Sequence, residues 1–121
     1  MGAFGWAAAL ANIRCMDLSV TESSDGPDVR VLAAAGSIDL QSRTSLVDAG
    51  RRQLDQNNIR RLVLDLAGVT FIDSSGIGAV IELAGIATDQ DCAFALRNPS
   101  ARVQRVLGIT GLQDAWEIES N

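Results

Sequence analysis

Leu62, Val63, Leu64 and Leu66 form an almost unbroken apolar run after Arg61, interrupted by Asp65 alone. Neighbouring side chains of a strand point to opposite faces, so a run without alternation needs cover on both. Such a strand belongs inside an α/β sheet, with helices supplying the cover. Helical periodicity stands on either side of it. Ser42 to Gln56 places Leu46, Val47, Gly50 and Leu54 on one face and Arg51, Arg52 and Asp55 on the other, and Asn57-Asn58 stops it. Downstream, Asp73-Ser74-Ser75-Gly76 opens a second helix, in which Ile77, Val80, Ile81, Ala84 and Ala87 keep helical spacing.

The remaining elements are read from alternation and turn chemistry. Asp17 to Thr21 directs Leu18 and Val20 inward, and Thr21 to Asp28 is dense in turn formers. Val29, Val31 and Ala33 alternate in a second strand that ends near Gly36, so the pair reads as a hairpin with a long turn. Ala93 to Leu96 is a further short strand. Asn98-Pro99-Ser100 starts a third helix carrying Val103, Val106 and Leu107, and Trp116 with Ile118 closes on a last strand. No repeat or linker divides the chain. The expected fold is a single α/β domain over residues 16–121, with a mixed, mostly parallel sheet of about four to five strands packed with helices. Residues 1–15 are expected to form an apolar extension outside it.

Composition closes most catalytic routes. The 121 residues include no His, no Lys and no Tyr. A Ser-His-Asp triad, a Cys-His pair, a Schiff-base lysine and a P-loop lysine are therefore absent. What remains is carboxylate, hydroxyl, Arg and thiol chemistry, and the expectation is a non-enzyme with no catalytic residues. A carboxylate-only enzyme built on Asp39 and Asp73 is the distant alternative. Cys15 and Cys92 are 77 positions apart in the sequence and fit no metal-ligand spacing, so no metal and no cofactor are expected. The net charge is −5, and the Arg doublets at 51–52 and 60–61 lie among Asp48, Asp55 and Asp65. Direct nucleic-acid binding, which needs a basic stripe, is not expected.

Met1 to Ala11 is apolar and rich in Gly and Ala, lacks a positive leading region and is too short to span a bilayer. It reads as an extra helix or tail, with a secretory signal or a natural start at Met16 as alternatives. Phe4, Trp6 and Leu10 would either contact a second copy in a homodimer or pack back on the domain. Two free thiols suit a reducing cytoplasm, and no membrane association is expected.

Chemistry concentrates between Val69 and Gly78, where the buried strand is expected to run into a loop and then a helix. A Ser at a helix N-cap accepts a backbone N–H, and the free N–H groups of a helix start accommodate a phosphate. Gly76 and Gly78 allow close backbone approach, by a partner or by the sheet. Taken alone, the segment has a plain structural reading: Ser74 or Ser75 caps the helix and the glycines permit tight packing. A nucleophile elbow is excluded, because the pattern is not G-x-S-x-G and no His can act as base.

Phe71-Ile72-Asp73-Ser74-Ser75-Gly76-Ile77-Gly78, after Leu62 to Leu66, resembles the signature of STAS domains, among them the bacterial anti-sigma factor antagonists. Gly36-Ser37-Ile38-Asp39 is similar to the family's G-x-[IL]-D after the second strand. Arg105-Val106-Leu107 with Thr110-Gly111-Leu112 resembles its last helix and turn. The resemblance runs from about Asp17 to Ile118. It implies phosphorylation at Ser74, with Ser75 as the alternative position and capping companion. It also implies a partner-binding face of Asp39, Asp73, Ser74, Ser75, Gly76, Ile77 and Gly78. The implied partners are an anti-sigma factor with serine kinase activity, bound by the unmodified form to release a sigma factor, and a serine phosphatase that resets the switch. Leu40-Gln41-Ser42-Arg43 lacks the His that several relatives carry there, which bears on which anti-sigma factor is recognised. Two other settings keep the fold and change the partner: a stressosome-like scaffold, or a lipid-transport system of the ABC type.

Overall fold

A computed structural model describes residues 12–15, 18–56 and 58–119. The order is β1 (Asn12–Cys15), β2 (Leu18–Ser24), β3 (Val29–Ile38), α1 (Arg43–Gln56), β4 (Arg61–Ile72), α2 (Ser74–Asp89), β5 (Ala93–Arg97), α3 (Ala101–Thr110) and β6 (Glu117–Glu119). The strands lie in one sheet in sequence order, β1 to β6. β1–β2 and β2–β3 pair antiparallel, whereas β3–β4, β4–β5 and β5–β6 pair parallel.

The apolar run takes the expected place. β4 lies between β3 and β5, and consecutive Leu62, Val63 and Leu64 are all 0% exposed, so both faces of the strand are covered. Leu46, Val47 and Leu54 of α1, Ile77, Val80 and Leu83 of α2, and Leu32, Ala34 and Ile38 of β3 join it in one core. Val31, of opposite parity on β3, is buried on the other side of the sheet. Gly50 marks the crossing of α1 and α2, since a β-carbon there would lie 2.2 Å from Leu83 Cδ1. α3 packs on β4 through Val103 and Leu107, and Ser100 Oγ donates to Val69 O at 2.7 Å.

Three features differ from the sequence expectation. The mixed, mostly parallel sheet is as expected, but among the described residues Asn12–Cys15 pairs with β2 and adds a strand, six in all, that the sequence places in the extension. Residues 69–72 are strand, not loop, and β4 runs on to Ile72. Trp116 stands just before the last strand, half-buried against the edge of Phe94 with ring centroids 6.1 Å apart. Phe4, Trp6 and Leu10 lie outside the described residues.

Two irregularities in the β3–β4 ladder determine where the two strands end. Pairing steps from Ala33↔Asp65 to Ala35↔Gly68, and from Gly36↔Val69 to Ser37↔Phe71, so β4 takes an extra residue each time. The strands then end level at Ile38↔Ile72. Asp39 and Asp73 leave the sheet side by side from the carboxyl ends of adjacent parallel strands, where open α/β sheets place their sites.

An ion network ties the sheet's far edge together. Arg61 pairs with Glu119 and, at 3.0 Å, with Glu117. Arg97 reaches Glu119 and Asp25, each at 2.9 Å. The Arg61 and Arg97 hydrogen bonds hold the Glu119 carboxyl below the usual carboxylate range.

Candidate functional site

Asp73 ends β4 and begins α2. Its backbone is extended (φ −115°, ψ −171°), and Oδ1 accepts the Gly76 N–H at 2.9 Å. Asp73 is therefore the N-cap. Ser74 and Ser75 stand inside the first turn and do not cap, contrary to the expectation for both. The carboxylate one position upstream has already taken the orphan N–H, and its negative charge suits the positive end of a helix. The Asp73 N–H donates to Ile38 O at 3.3 Å, which fastens the helix start to the end of β3.

The consequence for Ser74 is direct. It is exposed, and its hydroxyl has no hydrogen-bond partner among the described residues. Ser75 is half-buried, and its carbonyl accepts Arg43 Nε at 3.4 Å. Gly76 is buried, because a β-carbon there would lie 2.3 Å from Ile38 O and 2.7 Å from Ile72 Cγ1. Ile77 is 5% exposed and belongs to the core. Gly76 and Ile77, both expected in the partner-binding face, thus pack toward the interior here. Gly78 is different: the nearest atom to a β-carbon would be Arg43 Nη2 at 4.0 Å, an ordinary contact, so a methyl group fits there beneath the guanidinium.

Asp39 organises the neighbouring turn in the same manner. Its Oδ1 accepts the N–H groups of Gln41 and Ser42, both at 3.1 Å. Ser42, 2% exposed, accepts the Asp39 N–H at 3.0 Å through Oγ and donates to Ser37 O at 2.8 Å. Arg43 N–H closes the turn on Asp39 O at 2.9 Å. The two acidic residues expected beside the hydroxyl are thus at the same end of the sheet, each holding a strand-to-helix turn through backbone N–H groups. The Asp39 turn exposes Leu40, at 70% of its surface.

Ser42 and Arg43 are site residues that sequence reasoning did not assign. The signal for Arg43 was present: a cation in the first turn of a helix opposes the dipole, which points to a partner elsewhere. That partner is Glu82 on α2, whose Oε1 accepts Arg43 Nη2 at 3.1 Å, with Arg51 Nη2 at 4.0 Å from the other carboxylate oxygen. The arrangement offers no activated nucleophile, since no base among the described residues reaches the Ser74 hydroxyl. It offers an exposed hydroxyl on a helix start whose N–H groups tolerate negative charge. No group of metal-ligating side chains occurs among the described residues, and none of their helices is long and apolar enough to cross a membrane.

Comparison with known proteins agrees with this fold. An anti-sigma-B factor antagonist of Bacillus subtilis is 29% identical over 109 residues, covering 87% of this chain and 94% of that protein. A STAS-domain containing protein of Pseudomonas aeruginosa is 27% identical over 103 residues, covering 85% and 99%. The anti-sigma factor antagonist SpoIIAA, solved in its unphosphorylated form, superposes with a TM-score of 0.70 at 20% identity, covering 84% and 87% of the two chains. SpoIIAA of Bacillus, a cell fate determinant, has also been solved in a phosphorylated form, with a TM-score of 0.66 at 19% identity and coverage of 84% and 90%. The model of the family described as "Mlab, STAS domain" matches residues 20–118, and the chain belongs to the STAS-domain family.

Proposed function

We propose that this chain is an anti-sigma factor antagonist: unmodified, it binds an anti-sigma factor in the cytoplasm and so frees a sigma factor for transcription. The observation that carries the reading is the exposed Ser74 hydroxyl at the start of α2, without a hydrogen-bond partner among the described residues and beside two carboxylates already engaged in turns. Membership of the STAS family and the similarity to SpoIIAA, which exists in both phosphorylation states, support it.

The contact face consists of Asp39, Leu40, Asp73, Ser74, Ser75 and the surface at Gly78, where Arg43 lies. The partner carries serine kinase activity. It transfers the γ-phosphoryl group of ATP: the bond from the γ-phosphorus to the bridging oxygen breaks, a bond to Ser74 Oγ forms, the hydroxyl proton passes to a base of the kinase, and ADP leaves. No base among the described residues reaches the hydroxyl, and on this reading the chain acts as substrate and binding module, not as enzyme. The phosphate brings about −1.5 to −2 charges. The helix start stabilises it within the domain, while the crowding with Asp39, Asp73 and the partner's nucleotide weakens the complex. A serine phosphatase, hydrolysing the ester with water, restores the binding form.

The test is capture of partners by the unmodified chain, followed by incubation with the recovered kinase and ATP and mapping of the product. A single phosphate at Ser74 supports the reading, and Ser75 is the alternative acceptor. Phosphate elsewhere sinks the site assignment. Recovery of a lipid-transport ATPase or a scaffold of related domains, with no anti-sigma factor, replaces the antagonist role by one of those settings.

A further inference from the structure

Ser74, Gly78 and Glu82 are four residues apart along α2 and so form one row on the helix surface, about 6 Å from one member to the next. Arg43 lies over the middle of that row. Its Nη2 is 4.0 Å from where a Gly78 β-carbon would be, and it donates to Glu82 at the far end at 3.1 Å. Gly78 puts no side chain between the guanidinium and Ser74. Arg43 Nε meanwhile holds Ser75 O at 3.4 Å, which keeps the fork against the first turn. The pair is part-exposed, with 34% of the Arg43 side chain and 44% of Glu82 accessible, and exposed pairs of this kind are weak. A phosphoryl group, with more charge and three acceptor oxygens, is the stronger partner for a planar guanidinium.

We propose that Arg43 is a positioning residue that reads the phosphorylation state of Ser74, exchanging Glu82 for the phosphate once it is present. The inference rests on the proposed modification of Ser74. Its consequence is that modification changes the contact face over two helical turns. Arg43 moves toward the helix start, and Glu82 is left with Arg51 as its remaining cation. The face therefore gains the phosphate at one end of the row and, at the other, a carboxylate that has lost the nearer of its two cations. Asp39 and Asp73 stay bound to their own turns in both states.

The experiment uses the full chain with phosphoserine placed at 74 during translation, and follows the phosphate by ³¹P NMR as pH is varied. The second ionisation, ordinarily near pH 6, is expected to lie lower with Arg43 present than in Arg43→Gln, by about 0.3–0.5 pH unit for a part-exposed pair. Glu82→Gln, which removes the competing carboxylate, should lower it further. Equal titration midpoints in the parent, Arg43→Gln and Glu82→Gln proteins overturn the inference. If Arg43→Gln does not fold, the Glu82→Gln comparison decides the question alone. Because no kinase is used, the outcome is separable from the function itself. Failure of a kinase to modify Ser74 removes the biological setting without touching the titration. A null titration leaves the antagonist reading in place.

Discussion

Asp73 accepts the Gly76 N–H at 2.9 Å, and this bond settles which residue caps α2 and which hydroxyl stays free. Since the carboxylate performs the capping, Ser74 loses no fold-stabilising contact when it is modified. Asp73→Ala should cost about 1 kcal/mol, while Asp73→Asn, which retains an accepting oxygen, should cost about a few tenths. Urea unfolding of the two variants against the parent protein measures both. A loss in Asp73→Asn as large as in Asp73→Ala would show that the side-chain bond is not what starts the helix.

Two glycines near the start of α2 should respond in opposite ways. Gly76→Ala forces a β-carbon to within 2.3 Å of Ile38 O, a backbone atom that cannot swing aside, and should destabilise by about 1–3 kcal/mol or more. Gly78→Ala meets only the Arg43 guanidinium, at an ordinary contact distance of 4.0 Å, and gains helix propensity, so stability should rise by about 0.5–1 kcal/mol. Equal denaturant midpoints for the two variants contradict the tight contact at Gly76 and the ordinary one at Gly78.

The Glu119 carboxyl sets an acid limit on stability. Its Arg61 and Arg97 bonds depress its folded pKa below the unfolded value, so its contribution is fully present above about pH 5 and is lost as pH falls through the folded pKa. Both Arg residues stay charged throughout this window. Glu119→Gln should be less stable than the parent at pH 7, with the difference narrowing toward about pH 3. Urea midpoints at several pH values check this, and a constant difference across the range refutes it.

Much of the fold is legible in the sequence because its signals are local. The Leu62–Leu64 run announces a covered strand, the Leu46–Leu54 spacing a helix face, and the turn formers of Thr21 to Asp28 a hairpin, although Thr21 to Ser24 pair as strand and only residues 25–28 turn. What escapes is whatever depends on pairing. Asn12–Cys15 is too short to register as a strand until β2 lies beside it. Ala67-Gly68 and Thr70 break the alternation of β4 because they occupy ladder irregularities, which also bring Asp39 and Asp73 level. At the site, the Asp-Ser-Ser-Gly segment marks the helix start, but any of its first three residues is a plausible cap by type. Position relative to the strand end selects Asp73. Arg43 and Glu82, 39 positions apart, meet only through the crossing of α1 on α2 at Gly50.

On the proposed mechanism, charge at Ser74 governs association with the anti-sigma factor. The direct measurement is the affinity of that partner for the unmodified chain, Ser74→Ala, Ser74→Glu and the phosphoserine-74 form, by titration calorimetry at one salt concentration. Ser74→Ala should match the unmodified chain. The phosphoserine form should bind at least about tenfold more weakly, equivalent to about 1.4 kcal/mol, with Ser74→Glu between them. Indistinguishable affinities for all four proteins would refute control by charge at Ser74.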